Sequence, residues 1–183
     1  MAAGADINTW ATPPADDPNL LPYTPLQSAL LSSKIELAQT LLELGADPKI
    51  RDGDGRCTLA YCHSIAAFNL MQPFGIGPTE IQPSGMTLLH NHFQISGTPR
   101  ATFPDEVVFL DFLIGLGLDI NARDAKGRTI LHYAAENESN VEATPNYELL
   151  LTRGADKSIK DNDGKRAVDL VAKSLKKVRA MLQ

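Results

Sequence analysis

The apolar positions of the chain recur at helical spacing and are interrupted by short polar turns. In residues 36–45, "ELAQTLLELG", leucine and alanine fall at the three- and four-residue intervals of an amphipathic helix. Small residues such as Ala134 and Ala135 would let neighbouring helices approach closely. Asp and Gly, which favour tight turns, cluster at residues 52–55, 124–127 and 161–164. The pattern predicts short helices joined by tight turns.

The helical segments repeat along the chain. Most copies open with a threonine, which can cap free backbone N–H groups at a helix start. The opening residues are Thr24, Thr58, Thr87, Thr129 and, in a fifth copy, Arg166, at intervals of 34, 29, 42 and 37 residues. A glycine precedes three of these residues by 12 or 13 positions, as Gly117 precedes Thr129 by 12. A period of this size indicates a repeat architecture.

The repeated unit resembles the ankyrin repeat, whose period is about 33 residues and whose first helix begins with T-P-L-H-x-A. Residues 129–135, "TILHYAA", and 149–156, "LLLTRGAD", match it well, and residues 24–47 match nearly as well. The resemblance covers almost the whole chain. It implies an all-α fold, an ankyrin-repeat solenoid of helix-turn-helix units joined by β-hairpin loops. His90 and His132 stand at the family's histidine position, where the ring typically bonds neighbouring loops.

We expect one domain over residues 1–183, a right-angled stack of four repeats with a C-terminal helical cap. Its parts are a partial N-terminal repeat with a proline-rich loop at 1–22, repeats at 23–55, 56–85, 86–127 and 128–164, and the cap at 165–183. Because residues 3–10, "AGADINTW", look like the end of a repeat, we expect the sequence to begin inside a longer array. The predicted core leucines are Leu41, Leu42, Leu131, Leu149 and Leu150.

Two repeats are longer than the regular unit. The opening threonine and closing glycine are 21 residues apart in the first unit; the third unit exceeds this distance by nine residues and the fourth by four. Insertions at one place in successive repeats often mark a binding face, and tolerated loop growth is the alternative. The longer insertion, residues 94–106, is expected to contact a partner through Arg100 and Phe103. Otherwise it is a mobile loop in which Phe103 covers the helix that starts near Asp105.

The charge of the chain is mildly acidic and unevenly distributed. A composition of 43% apolar and 21% charged residues is that of a folded protein, and a net charge of -5 does not favour nucleic acid or an anionic membrane as a partner. Residues 153–183 carry nine Lys and Arg against four Asp, a net charge of +5. We interpret this end either as a basic helix for an acidic partner or as a solvated helix whose cations suit the negative end of its dipole.

Sequence motifs of catalysis, cofactor binding and metal binding are missing. Cys57 and Cys62 lack the C-x-x-C spacing and are predicted to be buried thiols in a reducing setting. His90 and His92 are two residues apart and so lie on different helical faces. No phosphate-binding G-x-x-x-x-G-K-[ST] motif, G-x-S-x-G motif, signal peptide or apolar membrane span occurs. We expect no enzyme activity, no metal and no cofactor.

Two classes of function remain open. The first is a protein interaction module, a scaffold or adaptor that binds a partner through hairpin tips and the concave first-helix surface. The second is a structural or inhibitory segment of a larger enzyme or effector. We expect another protein as the partner, a monomeric chain, and an intracellular, cytoplasmic location, with the nucleus and delivery into a host cell left open. The predicted contacts, besides those of the insertion, are Asp54, Arg56, Lys126, Arg128, Glu136, Asn137, Asp163 and Lys165.

Asn121 is a candidate modification site. In residues 113–121, "LIGLGLDIN", Leu113 lies eight residues before it and Asp119 lies two before. This arrangement resembles the hairpin asparagine that the oxygen-dependent asparaginyl hydroxylase modifies in ankyrin repeats. The resemblance implies hydroxylation of Asn121 if the protein meets a eukaryotic cytosol.

Overall fold

The computed structural model describes residues 6–10, 23–75, 77–78, 82, 84–94, 104–137 and 144–183, except the side chains of residues 93, 94, 104, 106, 137 and 144. Residues 1–83 and 84–183 form two compact units, here called unit 1 and unit 2. Both are built from short helices, and the described residues contain no strand, only an isolated antiparallel bridge between Lys160 and Arg166. The predicted all-α fold is confirmed. None of the described helices is long and apolar enough to cross a membrane.

The described residues of unit 1 form three α-helices: α1 (Pro25–Leu31), α2 (Ile35–Glu43) and α3 (Ile65–Met71). Two 3₁₀ turns, Thr58–Tyr61 and Gln72–Phe74, complete its helical segments. Helix α1 starts at a capping box, because the Thr24 hydroxyl accepts from Gln27 N–H (3.2 Å) and Gln27 Oε1 accepts from Thr24 N–H (2.9 Å). Helix α1 packs against α2 and the first 3₁₀ turn, and α2 packs against α3.

In the part of unit 2 that the structure describes there are six α-helices: α4 (Leu88–Gln94), α5 (Pro104–Gly115), α6 (Ile130–Asn137), α7 (Thr144–Thr152), α8 (Ala167–Leu170) and α9 (Lys176–Leu182). Helices α4, α6 and α8 form one row, since α6 packs against both of the others. The second helix of each pair covers the first, α5 on α4, α7 on α6 and α9 on α8. This pairing is the helix-turn-helix arrangement that the sequence predicts.

The core leucines are only partly those predicted. Leu131 and Leu150 are buried, whereas Leu41, Leu42 and Leu149 are only half-buried, so these three assignments were wrong. Adjacent residues of a helix point about 100° apart, so a Leu-Leu pair does not place both side chains in one core. Helix α2 fully buries only Ala38 among its residues. Cys57 and Cys62 are buried thiols outside any disulfide, as predicted, and burial raises the pKa of Cys62.

The threonine register needs one correction. The aspartate of the turn and the tyrosine that bonds to it are nine residues apart in both units, Asp52 to Tyr61 and Asp124 to Tyr133. Cys57, not Thr58, therefore corresponds to Thr129. The Cys57 side chain makes no capping hydrogen bond, and Thr58 Oγ1 donates to Ile50 O (3.1 Å). The helical segment that follows is a single 3₁₀ turn, Thr58–Tyr61.

The basic C-terminal segment also differs from its expected arrangement. Lys176 and Lys177 lie in the first turn of α9, at the positive end of its dipole, and only Arg179 lies in the last turn. The prediction that the cations suit the negative end of the helix was wrong for these lysines. Arg179 has a structural role, because its Nη1 donates to Val168 O (2.8 Å) and Val171 O (2.9 Å).

In three of the repeats, one polar side chain links the start of a helix to a neighbouring turn. In the fourth repeat Thr129 N–H donates to His132 Nδ1 (3.1 Å), so the proton is on Nε2, which donates to Lys165 O (3.1 Å). His90 Nε2 makes the same contact with Arg128 O (3.1 Å). Gln27 takes the histidine position in the first repeat, and its Nε2 donates to Ile50 O (3.0 Å). The predicted role of the family histidines is confirmed.

The glutamine at position 27 suggests a test of this link. We expect His132→Ala to lower the free energy of unfolding by about 2–4 kcal/mol, because it leaves a cavity and deprives the buried Thr129 N–H of its acceptor, while Lys165 O keeps only its bond from Asp161 N–H. His132→Gln should stay within about 1 kcal/mol of the unchanged chain, because a glutamine amide offers the same acceptor and donor. Urea unfolding measures both variants. Equal losses in the two variants would contradict this role.

Candidate functional site

A concave surface lies on unit 2, between two consecutive turns. It is a groove of ≈ 460 Å³, bordered by the turn at 124–127, the turn at 161–164, and side chains of α6 and α8. We call it the unit 2 groove. Its lining residues are Ala125, Lys126, Arg128, Glu136, Asp161, Asn162, Asp163, Lys165 and Leu170.

Five of the contact residues predicted from sequence line this groove: Lys126, Arg128, Glu136, Asp163 and Lys165. Asp54 and Arg56 belong to the corresponding turn of unit 1. Arg100 and Phe103 lie outside the described residues, as does the side chain of Asn137. The sequence prediction omitted the lining residues Ala125, Asp161, Asn162 and Leu170, of which Asp161 and Asn162 belong to the visible "DNDG" turn motif.

Each turn is organised by the carboxylate of its first aspartate. Asp124 Oδ1 accepts from the backbone N–H groups of Lys126 (2.8 Å) and Arg128 (2.7 Å). Asp161 Oδ1 accepts likewise from Asp163 (3.0 Å) and Lys165 (2.8 Å). The two residues held by each carboxylate are the ones whose side chains line the groove. Their backbone positions are therefore determined before any partner arrives.

Asn162 joins the two turns. Its backbone N–H donates to Lys126 O (2.9 Å), and its Nδ2 donates to Ala125 O (3.0 Å). Arg123 Nη2 donates to Asn162 Oδ1 (3.3 Å) from the other side. The two turns approach each other closely at Gly127. A Cβ added there would lie 3.0 Å from Asn162 N and nearer still to the side chains of Arg123 and Asn162. The spacing of the turns across the groove is thereby set.

Arg128 is held by three neighbouring side chains. Its guanidinium carbon lies 4.3 Å from the centre of the Tyr133 ring, and its Nη2 donates to the Tyr133 hydroxyl (2.6 Å). Its Nη1 donates to Glu136 (2.7 Å), and its Nε lies 3.4 Å from Asp124 Oδ2. The Tyr133 hydroxyl in turn donates to Asp124 Oδ2 (2.7 Å). The guanidinium is consequently oriented, with 14% of the side chain exposed to solvent.

The charge states of this cluster follow from its contacts. Burial acts to raise the pKa of Asp124, but hydrogen bonds from Tyr133 and the Arg128 backbone outweigh it and lower the pKa. Burial, followed by the bond to Asp124, raises the pKa of the Tyr133 hydroxyl. For Arg128 burial acts to lower the pKa, yet Tyr133, Glu136 and Asp124 together raise it. A carboxylate, a neutral phenol and a guanidinium cation therefore coexist at neutral pH.

Unit 1 has a similar cluster of an aspartate, an arginine and a tyrosine. The Tyr61 hydroxyl donates to Asp52, and Arg56 Nη1 lies 3.8 Å from Asp52 Oδ2. Asp54 is the second acid that pairs with the arginine, as Glu136 is in unit 2, because Arg56 Nη2 lies 3.2 Å from Asp54 Oδ2. Burial and the bond to Asp52 raise the pKa of Tyr61. The aspartate, arginine and tyrosine thus recur at the turns that begin with Asp52 and Asp124, whereas the turn that begins with Asp161 has Lys165 and Leu170 at the equivalent positions.

Asn121, the candidate hydroxylation residue, links successive turns. Its Nδ2 donates to Gly154 O (3.0 Å), and its Oδ1 accepts from Asp156 N–H (2.7 Å). Asn8 makes the second of these contacts in unit 1, where its Oδ1 accepts from Asp47 N–H (2.8 Å). The side-chain amide of Asn121 is only partly buried. Within the described part of the chain, no group of three or more His, Cys, Asp or Glu is placed to hold a metal ion.

Comparison with known proteins places these features in a family. The family model described as "Ankyrin repeats (many copies)" matches residues 105–145. The chain is 30% identical to the nuclear factor NF-kappa-B p105 subunit of Gallus gallus over 167 residues, which is 90% of this chain and 16% of that protein. It is 34% identical to neurogenic locus notch homolog protein 2 of Homo sapiens over 140 residues, 75% of this chain and 5% of the relative.

A third relative is NF-kappa-B inhibitor alpha of Sus scrofa, 31% identical over 112 residues, 58% of this chain and 34% of that protein. The chain therefore matches 34% or less of the length of each of these three relatives. The similarity covers only a part of each of these proteins.

Two glycines at equivalent turn positions test the packing of the turns. Gly127 and Gly164 have left-handed φ angles of 74° and 79°, and only Gly127 is close to other atoms. We expect Gly164→Ala to cost about 1–2 kcal/mol for the backbone conformation alone, and Gly127→Ala about 2–4 kcal/mol because it also displaces Asn162. Urea unfolding of the two variants measures the difference. The packing is misassigned if their stabilities are equal.

The Tyr133 bond to Asp124 has a consequence for acid stability. Because the folded-state pKa of Asp124 lies below its ordinary value of 3.8, the carboxylate stabilises the fold above that value, and this stabilisation is lost as the pH falls through the folded-state pKa. Tyr133→Phe removes one bond to the carboxylate and should raise the pKa, measured by NMR titration of the Asp124 carboxyl carbon. Tyr147→Phe, which loses a bond to Ala134 O, is the control and should leave it unchanged. An unaltered titration in Tyr133→Phe would refute this explanation.

Proposed function

Because this chain belongs to the ankyrin-repeat family, we propose that it is a protein interaction module, a scaffold or adaptor that binds a segment of a partner protein in the unit 2 groove. Ankyrin repeats are protein-interaction modules whose stacked units offer a concave binding surface. The observation that carries the proposal is the groove itself, in which side chains on fixed backbone positions surround an open concave space.

Pre-formed geometry is what makes this groove suitable for binding. Association is opposed by the loss of side-chain and loop freedom, and a surface that is already ordered loses less. Arg128 is held by Tyr133 and Asp124, so its planar group needs little further ordering. Arginine is also among the residues enriched where binding energy concentrates. The exposed charges at Lys126 and Lys165 would contribute orientation and association rate more than affinity.

Further contacts are proposed for residues beyond the groove. Asp54 and Arg56 form the same kind of surface on unit 1 and are included for that reason. Arg100 and Phe103 of the 94–106 insertion remain proposed contacts on sequence grounds. Asn121 remains a proposed hydroxylation site. Two buried cysteines outside any disulfide support an intracellular, cytoplasmic location as part of the proposal.

A second candidate is a regulatory or inhibitory segment of a larger protein. Two observations favour it: one relative is named an inhibitor, NF-kappa-B inhibitor alpha, and the chain matches only 16% of the p105 subunit. In this case the groove would bind a part of the same assembly. The two candidates share the groove as the binding surface and differ in the partner.

A steric test addresses the groove without assuming the partner. Random peptides displayed on phage are selected on the full chain, and the affinities of the selected peptides are measured by fluorescence anisotropy. Ala125 is exposed and lines the groove, and Ala172 is exposed and does not. We expect Ala125→Trp to weaken binding at least about tenfold, or 1.4 kcal/mol, by filling the groove, and Ala172→Trp to leave it unchanged. Undiminished binding by Ala125→Trp, with both variants folded by circular dichroism, would contradict the proposal.

A further inference from the structure

We propose that the unit 2 groove binds a tyrosine of the partner, whose hydroxyl donates to the Asp161 carboxylate and whose ring packs on Leu170. This inference rests on the proposed function and names the side chain that the groove would recognise. It follows from a comparison of the three turns that begin with an aspartate, because two of them hold a tyrosine of the chain itself at the corresponding place.

In these two turns the second carboxylate oxygen accepts from a phenol. The Tyr133 hydroxyl donates to Asp124 Oδ2 (2.7 Å), and the Tyr61 hydroxyl donates to Asp52 Oδ2. Each tyrosine lies nine residues after its aspartate, and all four residues are buried. The aspartate closes the turn through Oδ1 and binds a tyrosine through Oδ2.

The last of the three turns has the carboxylate without the phenol. Asp161 Oδ1 accepts from backbone N–H groups two and four residues later, as Asp124 Oδ1 does. The residue nine positions after Asp161 is Leu170, whose side chain has no hydrogen-bond donor. Among the described residues, no group donates to Asp161 Oδ2. The hydrogen bond that tyrosine makes in the other two turns is therefore open to a partner.

Helix α8 places Leu170 in the same register as Tyr133. At the start of α8, Arg166 N–H donates to Asp169 Oδ2 (2.8 Å), three residues later. At the start of α6, Thr129 N–H donates in the same way to His132 Nδ1 (3.1 Å). In each helix the next residue is the one in question, Leu170 or Tyr133. The equivalence thus holds at the helix as well as at the turn.

The open position belongs to the groove. Asp161 and Leu170 both line it and are half-buried, whereas Asp124 and Tyr133 are buried. The shorter Leu170 side chain leaves space where a ring lies in the other turns, and it offers that space an apolar surface. A phenol matches both features, because its ring packs on apolar groups and its hydroxyl donates a hydrogen bond.

The charge of the groove is consistent with a neutral occupant. Its lining carries three cations and three carboxylates: Lys126, Arg128, Lys165, Glu136, Asp161 and Asp163. Net charge therefore selects neither an acidic nor a basic side chain. Recognition depends instead on one directed hydrogen bond to a charged acceptor, which is stronger than a bond between neutral groups.

A tyrosine placed in the chain itself tests the geometry without a partner. We expect the urea midpoint of Leu170→Tyr to exceed that of Leu170→Phe, because only the tyrosine hydroxyl can donate to Asp161 Oδ2. Adding Asp161→Asn to both variants should reduce this difference, since an asparagine oxygen still closes the turn but the carboxylate is lost. Adding Asp163→Asn, the control, should leave the difference unchanged. Equal midpoints of Leu170→Tyr and Leu170→Phe, or a difference that Asp161→Asn leaves intact, overturns the inference.

Peptides selected on the full chain from the random phage library test the partner side. We expect tyrosine to be enriched at one position of these peptides. Replacing that tyrosine by phenylalanine should weaken binding at least about tenfold to the unchanged chain and to Asp163→Asn, but less than about threefold to Asp161→Asn. Fluorescence anisotropy measures each affinity. Absence of tyrosine enrichment, or the same loss in all three chains, overturns the inference.

Leu170→Tyr should also compete with the peptide. The tyrosine of the variant would occupy the place of the peptide tyrosine and weaken binding at least about tenfold. Leu170→Met, which nearly preserves side-chain volume and adds no hydroxyl, is the control and should bind as the unchanged chain does. Undiminished binding by Leu170→Tyr, with both variants folded by circular dichroism, overturns the inference.

The Ala125→Trp variant separates this inference from the proposed function. Peptides that Ala125→Trp excludes and that require their tyrosine support both. Peptides that it excludes but that have arginine or another residue in place of tyrosine leave the groove as the binding surface and overturn the tyrosine. Peptides that it fails to exclude overturn the proposed function itself.

Discussion

The carboxylate at the first position of each turn is the interaction on which the rest of the structure depends. Asp52, Asp124 and Asp161 each accept two backbone N–H groups, two and four residues further along the chain. Hydrogen bonds to a charged acceptor are stronger than those between neutral groups, and here two of them close one turn. Each turn therefore delivers the chain to the next helix in a defined direction, with two side chains held at its surface.

The turns and helices of unit 2 support one another through a few polar links. His132 joins the start of α6 to the backbone of Lys165, and Asn162 joins the later turn to Lys126 and Ala125. Asn121 makes a further link, to Gly154 and Asp156. Each link connects a residue of one repeat to backbone groups of a neighbouring repeat or of the C-terminal segment. A repeat is in this way stabilised by its neighbour as well as by its own helices.

Much of this organisation was predictable from the sequence, because the turn and cap residues have local physical roles. The all-α fold, the linking role of His90 and His132 and five groove residues followed from register alone. The register of the second repeat could not be predicted in this way. Its capping position is occupied by Cys57, and a cysteine does not mark a helix start as a threonine does. Leu41, Leu42 and Leu149 were misassigned because burial depends on which neighbouring helix covers each face. The pairing of Arg128 with Glu136, eight residues apart, required the three-dimensional arrangement.

The central claim is that the unit 2 groove is formed in the free chain and receives the partner there. Amide hydrogen exchange followed by NMR, with and without a selected peptide, tests it most directly. The account predicts that the N–H groups of Lys126, Arg128, Asp163 and Lys165 are already protected in the free chain, and that the peptide perturbs the signals of the groove lining. Rapid exchange of these four amides until the peptide is added, or perturbation confined to other surfaces, would contradict it.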